Sequence, residues 1–359
     1  MVNFVEVDFL SVESKKSGDA ITLRYQLGTE MFIHVVDGGF QASGNGVAKH
    51  INDHYGRPGF IDHVVVTHSD GDHAGGLRTV LETYNVGALW MLRPWIYAEV
   101  LLPYFATYTS AARLEAQLRS AYPNLVALEE IADRRGIPIQ EPFQGAKIGA
   151  FTVLAPSPSR FGQLILDSDK TPEAVESVED GLLEEFARIL KRITNFVRAA
   201  WGEEVFSTEA TSRENEMSVV QYADLGRKIL LTGDAGREAL AEAVAYAPSA
   251  GLILPGLDMI QVPHHGSRRN VSTDLLDALL GPRLAEPVTA GSETISAIVS
   301  SAKEDEHHPR KSVVRAFAHR GALVVATEGN AVSWSHPLQQ RAGWGPAVAI
   351  PYPEDQESN

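Results

Sequence analysis

The chain contains no cysteine among its 359 residues. Structural disulfides, thiolate metal sites and cysteine nucleophiles are therefore excluded, and any bound metal has to be held by His, Asp, Glu or backbone oxygen. Long apolar runs are missing too. Nowhere does the sequence approach the roughly 18 consecutive apolar residues that a bilayer-spanning helix needs. The opening residues, Met1 to Ser14, read as a strand with an acidic face and not as a charged leader with an apolar core. The expectation is a cytoplasmic protein without a membrane partner. Positive charge is scarce: 31 Lys and Arg stand against 46 Asp and Glu, a formal net charge of −15. Such a surface keeps a protein soluble and repels polyanions at long range. Contact with nucleic acid would need a local basic patch.

What remains is an ordinary globular composition, 44% apolar and 21% charged, able to bury a core without staples. The length allows one large two-layered domain with insertions or two modest domains. No internal repeat is evident. Short strands are expected at Phe4 to Phe9, Ala20 to Gln26 and Met31 to Val36, the last ending at the turn Asp37-Gly38-Gly39. A buried strand, His63 to Thr67, precedes a helix from Ala74 to Tyr84. Ser110 to Ser120 reads as an amphipathic helix, and Ala146 to Leu154 as a strand pair.

The clearest helical pattern starts at Thr171 and Pro172 and carries Leu182, Phe186, Ile189, Ile193 and Phe196 at helical spacing. It separates two strand-rich halves, so residues 159–212 are read as a helical insertion. The second half resumes with strands at Met217 to Ala223, Arg227 to Leu231 and Met259 to Val262, then a helix at Ser312 to His319. A final hairpin is expected over Leu323 to Trp334, turning at Glu328-Gly329-Asn330. The reading is a single α/β domain over residues 1–350, with helices outside packed sheets, and a flexible tail at 351–359.

Three buried-looking strands run into residues able to bind metal. The first leads into His68, Asp70, Asp72 and His73, the second into Asp234, and the third into His264 and His265. Imidazole and carboxylate suit borderline and hard divalent ions, and loops beyond strand ends can converge on one site. Each piece alone has an ordinary structural explanation: Asp-Gly-Asp is a common solvated turn. Two His and two Asp within six residues are harder to explain that way. The small residues that follow, Ala74-Gly75-Gly76, let the next helix approach closely. Arg268, Arg269, Arg310, Lys311 and Arg315 flank the later motifs. They read equally as a phosphate-binding patch or as solvated helix-end charges.

The run Thr67-His68-Ser69-Asp70-Gly71-Asp72-His73-Ala74-Gly75-Gly76 resembles the HxHxDH signature of the metallo-β-lactamase superfamily. It looks most like the HxDxDH variant in the hydrolase domain of ComEC-type DNA-uptake proteins. The similarity continues in order through Gly18-Asp19-Ala20, Asp37-Gly38-Gly39 and Val153 to Pro156. Asn215 to Val220, Leu230 to Asp234, Val262 to Ser267 and His308-Pro309 extend it. The chain departs from that family in lacking its membrane segments and its Tyr-Gly before His308.

The resemblance implies a four-layer αββα metallo-β-lactamase sandwich and two divalent metal ions. His68 and Asp70 would hold one, Asp72, His73 and His265 the other, and Asp234 would bridge them. Asp70 replaces a His of the commoner motif, which makes the site harder and favours manganese or iron relative to zinc. Manganese and zinc lead the candidates, with iron and magnesium behind them. The resemblance gives catalytic roles to Asp72, Asp234 and His264; Asn215, Ser218, Arg268 and His308 are the expected substrate contacts, Arg268 as part of the basic patch. The implied activity is phosphodiester hydrolysis of DNA or RNA by a two-metal-activated hydroxide. Two alternatives stay open. One is hydrolysis of a small phosphoester, cyclic nucleotide or lactone. The other is a non-catalytic subunit that binds a protein partner through the helical insertion.

Overall fold

The computed structural model describes residues 2–12, 15–105, 107–170 and 196–358. The first half is rich in β-branched and aromatic residues broken by glycine turns, a pattern that favours pleated structure. Strands β1 (Val2–Phe9), β2 (Ala20–Leu27) and β3 (Glu30–Gly38) form an antiparallel meander. β4 (Phe60–Val65), β5 (Asn85–Trp90) and β6 (Ile139–Gln140) add to it in parallel. β7 (Lys147–Ile148) and β8 (Phe151–Ala155) are the expected strand pair and open a second sheet, while β9 (Phe196–Arg198) stands outside it. That sheet continues through β10 (Val220–Asp224), β11 (Lys228–Leu231), β12 (Met259–Gln261), β13 (Ile295–Val299) and β14 (Ala322–Ala326). β15 (Val332–His336) returns to the first sheet beside β1, and β16 (Asp355–Glu357) pairs with β9. Among the described residues there are thus two seven-stranded sheets. One runs β15-β1-β2-β3-β4-β5-β6 and the other β14-β13-β12-β11-β10-β8-β7.

The strands of the second sheet are apolar on both faces, which explains why they read as continuous runs and not as alternation. Ile229, Leu231, Met259 and Ile298 face the core shared with the first sheet. Their neighbours Leu230, Ile260, Ala297 and Val299 face a second core, shared with buried residues of the helices Arg237–Tyr246, Thr273–Leu280 and Lys311–Ala318. On the far side of the first sheet, the helices Gly44–His54 and Leu77–Thr83 bury Val47, Ile51, Leu77, Val80 and Leu81. Helix, sheet, sheet and helix stack as the α/β sandwich expected from the sequence.

Several boundaries differ from expectation, for identifiable reasons. The helix expected from Ala74 to Tyr84 is two pieces, Gly71–Ala74 and Leu77–Thr83. The break lies at Gly75-Gly76, pressed against the backbone of β3. A β-carbon on Gly76 would overlap the carbonyl oxygen of Gly38, and one on Gly75 would lie 2.6 Å from the Gln41 nitrogen. Gly76→Ala is therefore expected to destabilise the protein by about 1–3 kcal/mol, the usual cost of overpacking. Chemical denaturation would read this as a lower midpoint, and an unchanged midpoint would contradict the close packing.

The final hairpin is not a hairpin. β14 pairs with β13 in the second sheet and β15 with β1 in the first, so the turn at Glu328-Gly329-Asn330 carries the chain between sheets. Nor is the segment 351–359 a loose tail where it is described. Gln356 and Glu357 are buried, and Glu357 accepts from the Lys311 and Ser312 amides at the start of the helix Lys311–Ala318. Of the expected insertion, Pro158–Leu166 is a helix capped by Ser157. The long helix read from Thr171 lies outside the described residues except for its last position, Phe196, which opens β9. Among the described residues no helix is long and apolar enough to cross a membrane.

Candidate metal centre

Five segments deliver polar side chains to one point between the sheets. The loop after β4 brings His68, Asp72 and His73, and the turn after β11 brings Asp234. The loop after β12 brings His264 and His265. Asp19 comes from just before β2, and Asp37 from the end of β3. Backbone hydrogen bonds sew the segments together. Asp19 N–H donates to Asp72 carbonyl oxygen at 3.0 Å, Val219 N–H to that of Thr67 at 3.0 Å, and His264 N–H to that of Gly233 at 3.2 Å. His264 and His265 both have positive φ, 48° and 54°. Non-glycine residues there store about 1–3 kcal/mol each and persist only where their surroundings hold them.

Three imidazoles are oriented from behind. His73 Nδ1 donates to Asp37 Oδ2 at 2.8 Å, and Asp37 is itself fixed by the Thr67 amide at 2.9 Å and the Thr67 hydroxyl at 2.5 Å. His265 Nδ1 donates to the Ser300 carbonyl at 2.9 Å. His68 Nδ1 lies 3.1 Å from the Thr67 hydroxyl and 3.4 Å from that of Ser218. With Nδ1 engaged in all three, Nε2 is the nitrogen left to bind something else.

Those nitrogens have no hydrogen-bond partner although they are buried. The Nε2 atoms of His68, His73 and His265 and the Oδ1 atoms of Asp19 and Asp234 are all unpaired among the described residues. Native interiors rarely leave such groups unsatisfied. His73 Nε2 lies 3.2 Å from Asp234 Oδ1, and His265 Nε2 lies 3.8 Å from the same oxygen and 3.7 Å from Asp72 Oδ2. His68, His73 and Asp234 form one group with ligand atoms mutually within 4.8 Å. Asp72, His73 and His265 form a second, and Asp19, Asp234 and His265 a third. Orphaned nitrogen and oxygen donors converging this closely fit a divalent cation, and the mixed donor set suits zinc, manganese or iron.

The electrostatics show the cluster's protein atoms compensating one another. Burial lowers the basicity of His73, but Asp234 and Asp37 outweigh it and hold the pKa well above that of an ordinary imidazole. Burial also opposes protonation of His265, and Asp234 above all raises its pKa to about 9. Burial would raise the Asp234 pKa, yet His73 first among its imidazole neighbours keeps it well below the usual carboxylate range. Asp19 keeps a raised pKa because burial prevails.

The other sequence-derived candidates occupy varied positions. Asp70 lies at the rim, outside the buried groups, with Oδ2 3.7 Å from His68 Nε2 and Oδ1 paired with Lys170 at 2.9 Å. His264 Nδ1 is 3.0 Å from Asn270 Oδ1, and its Nε2 faces Asp234 Oδ2 at 3.5 Å. The amide of Asn270 donates to the Asp234 and Ala235 carbonyls, which fixes its Oδ1 as the acceptor for His264. The His308 ring stacks on His264 with centroids 5.9 Å apart, and Asp305 Oδ2 holds its Nδ1 at 3.2 Å.

Two expected substrate contacts are buried in the frame of the site. Ser218 is fully buried, and its hydroxyl accepts from the Asp234 amide at 3.2 Å, so it supports the site's frame. Asn215 is buried as well, its amide donating to the Thr211 hydroxyl at 2.8 Å and lying beside the His264 ring. The basic patch is also smaller than expected. Arg269 pairs with Glu209, Lys311 pairs with Asp355, and Arg315 is buried with its guanidinium on the Pro353, Ala199 and Ala200 carbonyls.

The sequence reading gave no role to Asp19, Asp37 or Asn270. Asp19 and Asp37 did leave a signal, each being an acidic residue at the end of a strand that otherwise reads as buried. Asp37→Asn would disturb the hydrogen bond that sets the tautomer of His73. It is expected to weaken metal affinity about 10–100-fold. Titration with a competing chelator measures this, and unchanged affinity would show that Asp37 serves the fold alone.

Residues 32–138 match the family model described as the Metallo-beta-lactamase superfamily. No curated protein matches the chain. Among solved structures, the metallo-beta-lactamase fold protein YhfI from Bacillus subtilis is 10% identical, with 92% of this chain and 99% of that one covered and a TM-score of 0.36. The metallo-beta-lactamase SMB-1 in complex with mercaptoacetic acid is 10% identical, with 74% and 81% covered and a TM-score of 0.31. A metallo-beta-lactamase from Hirschia baltica is 12% identical, with 69% and 85% covered and a TM-score of 0.29. The matched segment runs from β3 to the start of β6 and contains the His68–His73 motif, so the chain has a metallo-beta-lactamase superfamily match around its His/Asp cluster, within a two-sheet α/β sandwich consistent with that fold.

Proposed function

We propose that this protein is a metal-dependent hydrolase of phosphodiester bonds, with DNA or RNA as its substrate. One observation carries the hydrolase reading: buried, unpaired Nε2 and Oδ atoms from separate segments converge within 4.8 Å. The choice of phosphodiester rests on the similarity of Thr67 to Gly76 to the ComEC-type hydrolase motif. His68 and Asp70 would hold one cation, Asp72, His73 and His265 the other, with Asp234 shared between them. Asp19 is a further ligand candidate. Divalent cations supply Lewis acidity toward a phosphoryl oxygen and bring the pKa of water toward neutrality.

The chain's own residues do the rest. Asp37 and the Ser300 carbonyl keep Nε2 of His73 and His265 aimed inward, which preorganises the site before substrate arrives. Asp72 is half-buried and reaches the open side of the cluster, where it can orient an attacking water. His264, braced at Nδ1 by Asn270, presents Nε2 to the same space and can hold a proton there for a departing oxygen. His308 packs on the His264 ring and limits its motion.

A small phosphoester, cyclic nucleotide or lactone is the competing substrate, favoured by the net charge of −15. The test is cleavage of labelled linear and circular DNA, single-stranded DNA and RNA with manganese, magnesium and zinc in turn. A protein carrying Asp72→Ala and His73→Ala is the control. Metal-dependent cutting that disappears in the control is the expected outcome. Bound metal with no cutting of any nucleic acid would overturn the nuclease reading in favour of small esters.

A further inference from the structure

Of the five cations flanking the later motifs, Arg268 and Arg310 differ from the rest. Neither makes a hydrogen bond or ion pair through its guanidinium among the described residues, and Arg268 Nη1 is buried without any partner. A guanidinium stays charged at any physiological pH, so a buried, unpaired guanidinium nitrogen is a standing cost unless a ligand satisfies it.

Both arginines lie on loops that border the site. Arg268 follows His264 and His265 in the same loop, and Arg310 follows His308, whose ring lies on His264. The Arg310 amide donates to the Gly266 carbonyl at 3.0 Å, which fastens the two loops together. Burial lowers the Arg310 pKa, and the charges of Arg268 and Arg269 lower it further against the pull of Glu357 and Asp305. Those carboxylates are engaged elsewhere: Glu357 accepts from the Lys311 and Ser312 amides, and Asp305 from Ser17 and His308. In a chain with net charge −15, two cations on loops fastened together, with no direct partner among the described residues, point to an anion from outside.

We propose that Arg268 and Arg310 form a phosphate subsite beside the metal centre, so that the preferred substrate carries a second phosphate next to the bond that is cut. This rests on the phosphodiesterase reading for its placement, while the anion site itself stands on the two arginines. An internucleotide phosphate of a strand and a terminal phosphate of a small molecule share the required chemistry.

Two measurements separate these ideas. The first is calorimetric titration of the full-length protein, as purified, with pyrophosphate and with a 12-nucleotide single strand. Arg268→Ala/Arg310→Ala is expected to bind pyrophosphate about tenfold or more weakly, the loss typical of charge-assisted hydrogen bonds. Arg310→Ala alone and Arg268→Lys, both milder changes, guard against misfolding of the double variant and are expected to fall between. Equal affinity in all four proteins would overturn the subsite. Weakening for the strand as well assigns the subsite to a polynucleotide, and weakening for pyrophosphate alone assigns it to a terminal phosphate.

The second is hydrolysis of the dinucleotides TpT and pTpT. The wild type is expected to favour pTpT in kcat/KM by about tenfold, and the double variant to bring that ratio near one. A wild-type ratio already near one would contradict the placement. If the wild type cuts neither dinucleotide nor any longer nucleic acid, yet pyrophosphate binding still falls in the variants, the phosphodiesterase reading fails and the anion site remains.

Discussion

Asp234→Ala is expected to reduce metal-dependent hydrolysis by about 10³-fold or more and to lower the bound metal, because the proposed sites share this carboxylate. Asp234 Oδ1 stands 3.2 Å from His73 Nε2 and 3.8 Å from His265 Nε2, and Oδ2 stands 3.5 Å from His264 Nε2. The loop holding it is fixed through its backbone, since the amide donates to Ser218 and the carbonyl accepts from Asn270. Removing the carboxylate leaves those contacts in place, so the loss should fall on metal binding and chemistry and not on the fold. Elemental analysis of purified protein, paired with the cleavage assay, gives both readouts. A variant that keeps its metal and its rate would show that the cluster is not the catalytic centre.

Glu204→Ala should be among the most destabilising single changes far from the metal centre, costing about 3–5 kcal/mol, as expected when one partner of a buried ion network is removed. Glu204 Oε1 accepts from Arg320 Nη1 at 2.7 Å and from His319 Nδ1 at 3.0 Å, and Oε2 accepts from the Thr273 hydroxyl at 2.9 Å. All three charged or polar partners lie on or just after the helices Thr273–Leu280 and Lys311–Ala318. The network therefore pins the segment after β9 against both helices. Ser207, three residues on, donates its amide to the carbonyl of Arg268 in a loop that borders the site.

Burial would raise the Glu204 pKa, but hydrogen bonds from His319 and Arg320 bring it down to about 2. A folded-state pKa below the unfolded one stabilises the fold above the unfolded value of about 4.3. That contribution is lost as pH falls from there toward 2. Denaturant midpoints measured from pH 5 downward should fall more steeply for the wild type than for Glu204→Gln. Parallel curves would show that the carboxylate contributes little to acid stability.

The donor residues of the candidate site were legible in the sequence because strand ends and metal-binding side-chain types are local features. His68, Asp72, His73, Asp234 and His265 all sit within a few residues of an apolar run, and the fold brings their ligand atoms within 4.8 Å of one another in groups of three. Sheet membership was not legible in the same way. Leu323 to Trp334 has the local marks of a hairpin, two apolar strands around Glu-Gly-Asn. Nothing in that stretch reports that β1 offers β15 a free edge in the other sheet. The pairing of β16 with β9, more than 150 positions earlier, was invisible for the same reason.

The sequence by itself determined the absence of thiol chemistry, the α/β alternation and the donor types available to a metal, since composition and short-range pattern suffice for these. Tertiary structure decided which donors remain unpaired. Asp37 and Asp70 are the same residue in the same kind of position beside a glycine. One is buried under His73 and fixed by Thr67, and the other is drawn to Lys170 at the rim. Among five similar cations, partners distant in sequence engage Arg269, Lys311 and Arg315, while Arg268 and Arg310 have no side-chain partner among the described residues. Charge and hydrogen bonding are set by neighbours in space, and in this chain those neighbours come from strands and loops far apart in sequence.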